Sequence, residues 1–562
     1  MLFETDSFKN AFSSFPPSEE QLQIFNDFQH GIGDICVNAV AGSGKSKTLL
    51  GCVTLLPENV SALVLAHNRK VANELSEKLR SYGVPLASNG KNGITVRTFH
   101  SFGWRTVMIN RHISIDGAKK LVKETKYTDY LNDNLLSLCP ESIDWKYKRK
   151  KRYLSNVENL LMYSRINLAQ STKEISGVAE RYSIELISNE IETVRSLMKW
   201  GKSDEVDIMD YTDLLWLPYE GDYKQPFGYD YVFVDEAQDI SPAQLELMKK
   251  VLSRERKSRL LIFGDKCQAI NMWCGSYEDA MDELKSCHSK PWKDFALTTN
   301  YRCGKAIIDN VNRRLREFNY SIQLNTSKTA SDGVLSYKVG LPSVEPKSMI
   351  LCRFSAPLFE IYLNLIKMGK QVRFMNDEKD MSEILSFVNY IEGYTLEEMD
   401  NTLRREFKNL WLSLCDGSDE GLKECAGNEL LLKKYNDYKI FETLKSVCNN
   451  SADMLDMVKS LCEKKNEEKN DNAIILSTIH KAKGAEADNV YIACPSSIQS
   501  PMIDKESDWQ KLQEENLEYV ALTRAKNKLG FLDENQINAG KAFSGSVMII
   551  KEYKRIAKIT EI

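Results

Sequence analysis

Residues 34–47 read DICVNAVAGSGKSK. The first half is a short apolar run of the kind that forms a buried parallel strand. Gly42 and Gly44 then let backbone N–H groups approach an anion with no side chain in between. A helical pattern follows, and a helix N-terminus favours negative charge. In this frame Ala41, Gly42, Ser43, Gly44, Lys45, Ser46 and Lys47 form a phosphate cradle. Lys45 would reach the β- and γ-phosphates, and Ser46 would hold Mg²⁺. Lys45 is expected to serve the nucleotide alone, so its removal should leave the fold intact. Ala39 stands where the general pattern carries its first Gly. ATP and Mg²⁺ are the cofactors this loop calls for.

Outward from this loop, further apolar β-branched runs end in polar loops. They are Ala62–Ala66, Tyr231–Val234, Leu260–Phe263, Ser348–Leu351, Ala473–Leu476 and Val490–Ala493. Helical patterns such as Lys70–Tyr82 and Pro242–Leu252 lie between them. The alternation predicts an α/β class with open parallel sheets, whose ligands sit at the carboxyl ends of the strands. Residues 232–239, VFVDEAQD, close one such strand with two adjacent carboxylates. Asp235 is placed to bind Mg²⁺, and Glu236 to orient and deprotonate the attacking water.

With these two motifs in order, the sequence resembles the superfamily 1A helicases of the UvrD/Rep/PcrA family. AHNRKVA and NLEYVALTRAK bring it nearest to the F-box helicase subgroup, and the resemblance runs from Gln21 to Arg524. It implies that Gln21 reads adenine, while Tyr301 stacks on it. It implies DNA contacts from Asn68 and Arg69, from Thr98, Phe99 and His100, and from Thr478 and His480. Trp273 would stack on a base. Gly264, Asp265 and Gln268 would sense the γ-phosphate and couple it to DNA. Arg302 and Arg524 would be arginine fingers, and Gly484 and Glu486 would contact the nucleotide. Tyr519 and Thr523 belong to the sixth motif, and Lys481 and Lys483 to the fifth. Arginine suits the finger role because its fork is fixed and always charged. Asn271, Cys274, Ala485, Ala487 and Asn516 depart from the family's usual residues. The nucleotide set is thus intact, whereas the DNA-facing set lacks one aromatic and one positive charge.

The resemblance implies two RecA-like parallel-sheet domains of the P-loop NTPase kind, each carrying a mainly helical insertion. The first motor domain is assigned to residues 1–103 and 206–290, with its insertion at 104–205. The second is assigned to 291–375 and 471–562, with its insertion at 376–470.

The chain has 562 residues and a net charge of -4, so any DNA contact must come from a local positive groove. Its 13 cysteines include no CxxC pair, which argues against zinc or iron–sulfur sites and for reduced cytosolic thiols. The start, MLFETDSF, has no basic n-region, and no run of about 18 apolar residues exists. A cytoplasmic protein without a membrane partner is expected. The basic run Lys146–Arg152 reads either as a phosphate contact or as a solvated helix face. His30 and His288 read as ordinary surface or core residues. Asp210 and Asp213, in DIMDYTDLLW, read as structural. No spaced acidic set follows Arg524 to suggest a fused nuclease.

Three readings compete. One is a 3′-to-5′ helicase acting on single-stranded DNA and single-strand/duplex junctions, with partners in repair, recombination, replication or defence. Another keeps the DNA-stimulated motor but not strong unwinding. A third is a slow nucleotide switch, which the two arginines and Glu236 disfavour.

Overall fold

The computed structural model describes residues 5–87, 93–113, 121–182, 184–203, 205–224, 228–254, 258–375, 395–414, 429–463, 472–500, 507–537 and 546–557. They form two units. The first ends at Leu297, and the second begins at Thr298 and also takes in Ala41–Ser43.

The first unit is built on strands β1 (Asp34–Ala39), β2 (Ser61–Ala66), β3 (Gly93–Thr98), β4 (Tyr231–Val234), β5 (Arg259–Gly264) and β6 (Trp292–Leu297). Their order is β3-β2-β4-β5-β1-β6, and every pair is parallel. Side chains alternate between two cores, as a strand buried on both faces requires. Ile35, Val37, Val64, Leu261 and Phe263 enter one, while Cys36, Leu65, Leu260 and Ile262 enter the other. The helices Arg69–Ser81 and Pro242–Arg254 lie where the periodicity placed them.

The boundary expected at 290/291 lies instead at Leu297, because β6 pairs in register with β1 from Asp34↔Trp292 to Ala39↔Leu297. The boundary expected at 103/104 falls inside the helix Phe99–Asn110. Phe99 and Phe102 of that helix join the sheet core, while Val107 joins the core of the insertion.

The insertion is helical, with Lys126–Asp133, Tyr147–Ile166, Thr172–Arg181 and Glu190–Gly201 as its main elements. A buried charge network ties it to the helix Asp213–Glu220 ahead of β4. Asp213 accepts from Lys126 Nζ at 2.7 Å, Tyr127 Oη at 2.8 Å, Arg165 at 2.8 Å and the Asp210 amide at 3.1 Å. Asp210 takes Arg165 through both oxygens, at 2.8 and 2.7 Å. Two cations meet two carboxylates, so the buried charge is balanced. The basic run lies at the start of Tyr147–Ile166, where Arg152 pairs with Glu185 and Arg149 covers the Trp145 ring.

The second unit opens with the short parallel pair β7 (Thr299–Asn300) and β8 (Asn325–Thr326). Its main sheet comprises β9 (Val334–Val339), β10 (Met349–Cys352), β11 (Val372–Phe374), β12 (Ile474–Thr478), β13 (Ala487–Ile492) and β14 (Ala525–Leu532). The order is β11-β12-β10-β13-β14-β9, again all parallel. One continuous core joins sheet residues such as Ile350 and Leu476 to Phe407 and Trp411 of the helix Leu396–Ser413 and to Tyr435 of Glu429–Lys445. Tyr553, from the helix Ser546–Ala557, packs edge-on against Phe407 and Trp411. Most of the polar run at 463–471 lies outside the described residues.

Candidate nucleotide and DNA site

In the first unit the Gly44–Lys47 part of the phosphate loop lies beyond β1, the carboxylate pair follows β4, and Asp265 follows β5, which lies between them. All three thus emerge at the carboxyl edge of one parallel sheet. Gly44 adopts a left-handed conformation and caps the helix Lys45–Thr54. Lys45 Nζ lies 2.7 Å from Glu236 Oε2 and 3.3 Å from Asp235 Oδ1. Burial pulls the ammonium down, but Asp235 and Glu236 outweigh it and hold Lys45 above the ordinary lysine value. Burial raises Asp235 despite Lys45. Lys45 is therefore the counter-ion of these carboxylates, which corrects the expectation that its charge matters to a nucleotide alone.

Glu236 sits at φ 54°, a left-handed position rare for a residue with a side chain. Its amide donates to Asp235 Oδ1 at 3.0 Å. Asp265, buried, is pushed up to about 6 by that burial, with Gln268 Nε2 opposing from 2.6 Å. Gln21 accepts from the Ser18 amide at 3.0 Å and donates to Thr48 Oγ1 at 2.9 Å, with Gly44 beside it. Lys47 departs from the expected cradle. Its ammonium donates to the Phe15 carbonyl at 3.1 Å and lies 4.7 Å from the Phe12 ring centroid, so it braces the N-terminal segment.

The DNA-facing candidates of this unit occupy neighbouring strand ends. Asn68 follows β2 and Thr98 ends its partner strand β3, and each caps the next helix, accepting from Val71 and Ser101. His100 is half-buried, lowered by burial and then by His67, and its ring lies 6.4 Å from that of Tyr211. Phe99 is only 2% exposed and belongs to the sheet core, which corrects its assignment as a DNA contact. Trp273 is 40% exposed on the turn Met272–Cys274. Gly275 closes that turn at φ +96°, where a Cβ would lie 2.4 Å from Ile166 of the insertion.

The second unit holds the remaining candidates. Gly42 is left-handed at φ +69°, and a Cβ there would lie 2.7 Å from Arg302 Cβ. The Gly42 carbonyl accepts from the Tyr301 amide at 2.9 Å, Asn300 donates to the Ala41 carbonyl at 2.6 Å, and the Ala41 amide donates to Tyr519 Oη at 2.9 Å. These bonds explain why Ala41–Ser43 group here rather than with residues 1–103. Arg302 pairs with Glu486 at 2.6 Å, and Lys526 holds the other Glu486 oxygen at 2.8 Å. Arg524 is 1% exposed and donates to the Val520 and Ala485 carbonyls. Gly484 is left-handed at φ +83° with open space around it, so conformation rather than crowding calls for glycine. Thr478 ends β12, and His480 follows in the turn, where burial, with Arg353 adding to it, pushes its imidazole down to about 3. Asn516 is buried and accepts from Tyr320 Oη at 2.8 Å.

Sequence reasoning passed over Gln238, Thr48, Asn300, Tyr211 and Lys526. Gln238 was within reach, because it stands two residues past Glu236 in the quoted motif. Tyr211 and Lys526 also lie within quoted stretches, DIMDYTDLLW and NLEYVALTRAK, whereas Thr48 and Asn300 carry no signal of their own, since folding alone brings them to the site.

The family profile of the UvrD/REP helicase N-terminal domain matches residues 18–288, and that of the UvrD-like helicase C-terminal domain matches residues 359–533. Over 614 residues the chain is 22% identical to a probable DNA helicase II homolog of Mycoplasma pneumoniae, covering 90% of this chain and 83% of that protein. It is 24% identical to DNA helicase IV of Escherichia coli, covering 56% of this chain and 49% of that one. It is also 24% identical to F-box DNA helicase protein 1 of Schizosaccharomyces pombe, covering 54% and 33%. The chain thus spans about half or less of the last two. With both profiles matched in sequence order and two parallel-sheet units behind them, the chain belongs to the UvrD-like helicases, DNA helicases that hydrolyse ATP.

Proposed function

We propose that this chain moves 3′ to 5′ along single-stranded DNA and unwinds duplex at single-strand/duplex junctions, hydrolysing ATP with Mg²⁺. The carrying observation is Lys45 held 2.7 Å from Glu236 at the carboxyl edge of a parallel sheet. A phosphate arriving at the loop competes for Lys45, which leaves the Glu236 carboxylate to orient the attacking water and accept its proton. Ser46 and Asp235 fit Mg²⁺. One hydroxyl and one buried carboxylate leave room for phosphate oxygens and water, the mixed set this ion accepts. The ion would neutralise charge on the transferring phosphoryl group. Arg302 and Arg524 supply further charge to that group, Gln21 and Tyr301 hold the adenine, and Gly484 and Glu486 contact the nucleotide. Asn68, Thr98, His100, Trp273, Thr478 and His480 face the strand. The polarity is supported by HKAKGAE, which resembles the 3′-to-5′ group, and by the positions of the two insertions.

Among the described residues no helix is long and apolar enough to cross a membrane. A cytoplasmic site of action and partners in repair, recombination, replication or defence belong to the same proposal. A second reading, a DNA-stimulated translocase with weak unwinding, is favoured by Asn271 and Cys274 flanking Trp273 where relatives carry an aromatic and a cation. The test uses partial duplexes with a 3′ or a 5′ tail, at low salt with ATP and Mg²⁺. Unwinding of the 3′-tailed substrate alone is expected. Unwinding of only the 5′-tailed substrate overturns the polarity. DNA-stimulated hydrolysis without unwinding selects the second reading, and hydrolysis indifferent to DNA selects a nucleotide switch.

A further inference from the structure

Gln238 is almost wholly buried beside the carboxylate pair, and the chemistry described so far makes no use of it. Its amide has two ends with different partners. The Asp265 backbone N–H, 3.0 Å from Oε1, can only donate, so it fixes which end is the oxygen. Nε2 must then face Glu236, and it donates to Oε2 at 2.6 Å. That is the same oxygen that Lys45 approaches. The contact with Asp265 depends on a glycine, because a Cβ on Gly264 would lie 2.9 Å from Gln238 Oε1 and 3.2 Å from its backbone nitrogen. On its far side Asp265 accepts from Gln268 Nε2 at 2.6 Å and from the Cys267 amide at 3.1 Å. An unbroken run of hydrogen bonds therefore leads from Glu236 through Gln238 and Asp265 to Gln268. Trp273 stands five residues further along the same segment.

We propose that Gln238 is a positioning residue that couples strand binding to hydrolysis, holding the Glu236 carboxylate in register with the segment Gly264–Trp273. This rests on the reading of Glu236 as the base. A side chain bonded at both ends transmits a displacement of one strand end to the other, and a charge-assisted bond to the base keeps the carboxylate aimed. When a strand engages Trp273, the shift reaches Glu236 through two hydrogen bonds rather than through the backbone of β5 and β4.

The test replaces Gln238 with Met, which keeps the length and removes donor and acceptor. ATP turnover with and without oligo-dT, KM for ATP and thermal melting are measured for Gln238→Met, Gln268→Ala and the double variant. Turnover with oligo-dT is expected to fall about 10- to 100-fold, the loss of one hydrogen bond to a charged group, while KM for ATP stays within about 2-fold. The stimulation by oligo-dT should shrink, and the two substitutions should be non-additive, as members of one network are. A structural role alone would not remove the stimulation selectively. Wild-type stimulation in Gln238→Met, or losses that simply multiply in the double variant, overturns the proposal. Should the Met variant melt early, Gln238→Glu keeps the acceptor for Asp265 and sets a like charge against Glu236. Wild-type stimulated turnover there also overturns it. Glu236→Gln separates the two failures. If that variant is inactive while Gln238→Met is normal, only the positioning role falls, whereas an active Glu236→Gln removes the base itself.

Discussion

Replacing Lys45 with Ala should do two separable things. It should abolish hydrolysis, and it should also destabilise the first unit by stripping Asp235 and Glu236 of their counter-ion. The Asp235 side chain is 1% exposed, so water cannot take the place of the ammonium there. Glu236, at 23%, is partly screened and contributes less. Removing one partner of a buried ion pair costs about 3–5 kcal/mol. Protonation sets a ceiling, because neutralising a carboxyl of ordinary pKa at about pH 7 costs about 4 kcal/mol. The loss should therefore be about 2–4 kcal/mol, a fall of roughly 5–15 °C in the melting transition of this unit. The ceiling drops by about 1.4 kcal/mol for each unit of pH. The gap to wild type should thus narrow between roughly pH 7 and pH 5, by about 2–3 kcal/mol where the loss at pH 7 stands at the ceiling and by less where it lies below. Differential scanning calorimetry at the two pH values, with ATP turnover measured in parallel, checks both effects. Lys45→Arg is the control, keeping the charge and the melting temperature while losing turnover. A Lys45→Ala protein that melts with wild type at both pH values would refute the counter-ion reasoning, and one that still turns over ATP would refute the site.

Gly42→Ala places a Cβ 2.7 Å from Arg302 Cβ at a left-handed φ, so ATP turnover should fall more than about 10-fold, and a change under about 2-fold would contradict the steric argument. Asp213→Asn keeps the shape but leaves Lys126 and Arg165 sharing one carboxylate, so urea unfolding should show a loss of about 3–5 kcal/mol, and a loss below about 1 kcal/mol would show that the network is not needed. His480 is held down to about 3, below its unfolded value, so its contribution to stability is complete above about pH 6.5 and is lost as the pH falls towards about 3. His480→Asn should flatten that acid loss in pH-dependent melting, and an unchanged slope counts against a buried neutral imidazole.

The strands that could be read in the sequence are central ones. β1, β2, β4, β5, β10, β12 and β13 have neighbours on both sides, so their side chains must be apolar on both faces. In the two main sheets the strands not singled out are the edges β3, β6, β9 and β11, together with β14 beside one of them. WKDFAL in β6 and AKNKLGFL in β14 carry lysines where a face meets water, and so they do not read as buried runs. The site divides in a similar way. Lys45, Asp235 and Glu236 could be found because their chemistry fixes both residue type and spacing. Phe99 and Lys47 stand in the right motifs, but a motif does not say which way a side chain points. Phe99 turns into the core, and Lys47 turns towards Phe12 and Phe15. Asp210 and Asp213 read correctly as structural, yet their partners Lys126 and Arg165 are 87 and 48 residues from Asp213, beyond any local pattern.

The four-charge network beneath the first insertion also bears on how such a chain changes over generations. An apolar cluster in its place could be equally stable, and could be reached if several residues changed at once. No single substitution leads there safely, because each first step strands a buried charge at about 3–5 kcal/mol, a large share of what a domain has to spare. Lys126, Arg165, Asp210 and Asp213 are thus locked to one another as lineages diverge, and variation should accumulate around them rather than among them. A helical module docked in this way is hard to lose by gradual drift, whatever its surface comes to bind.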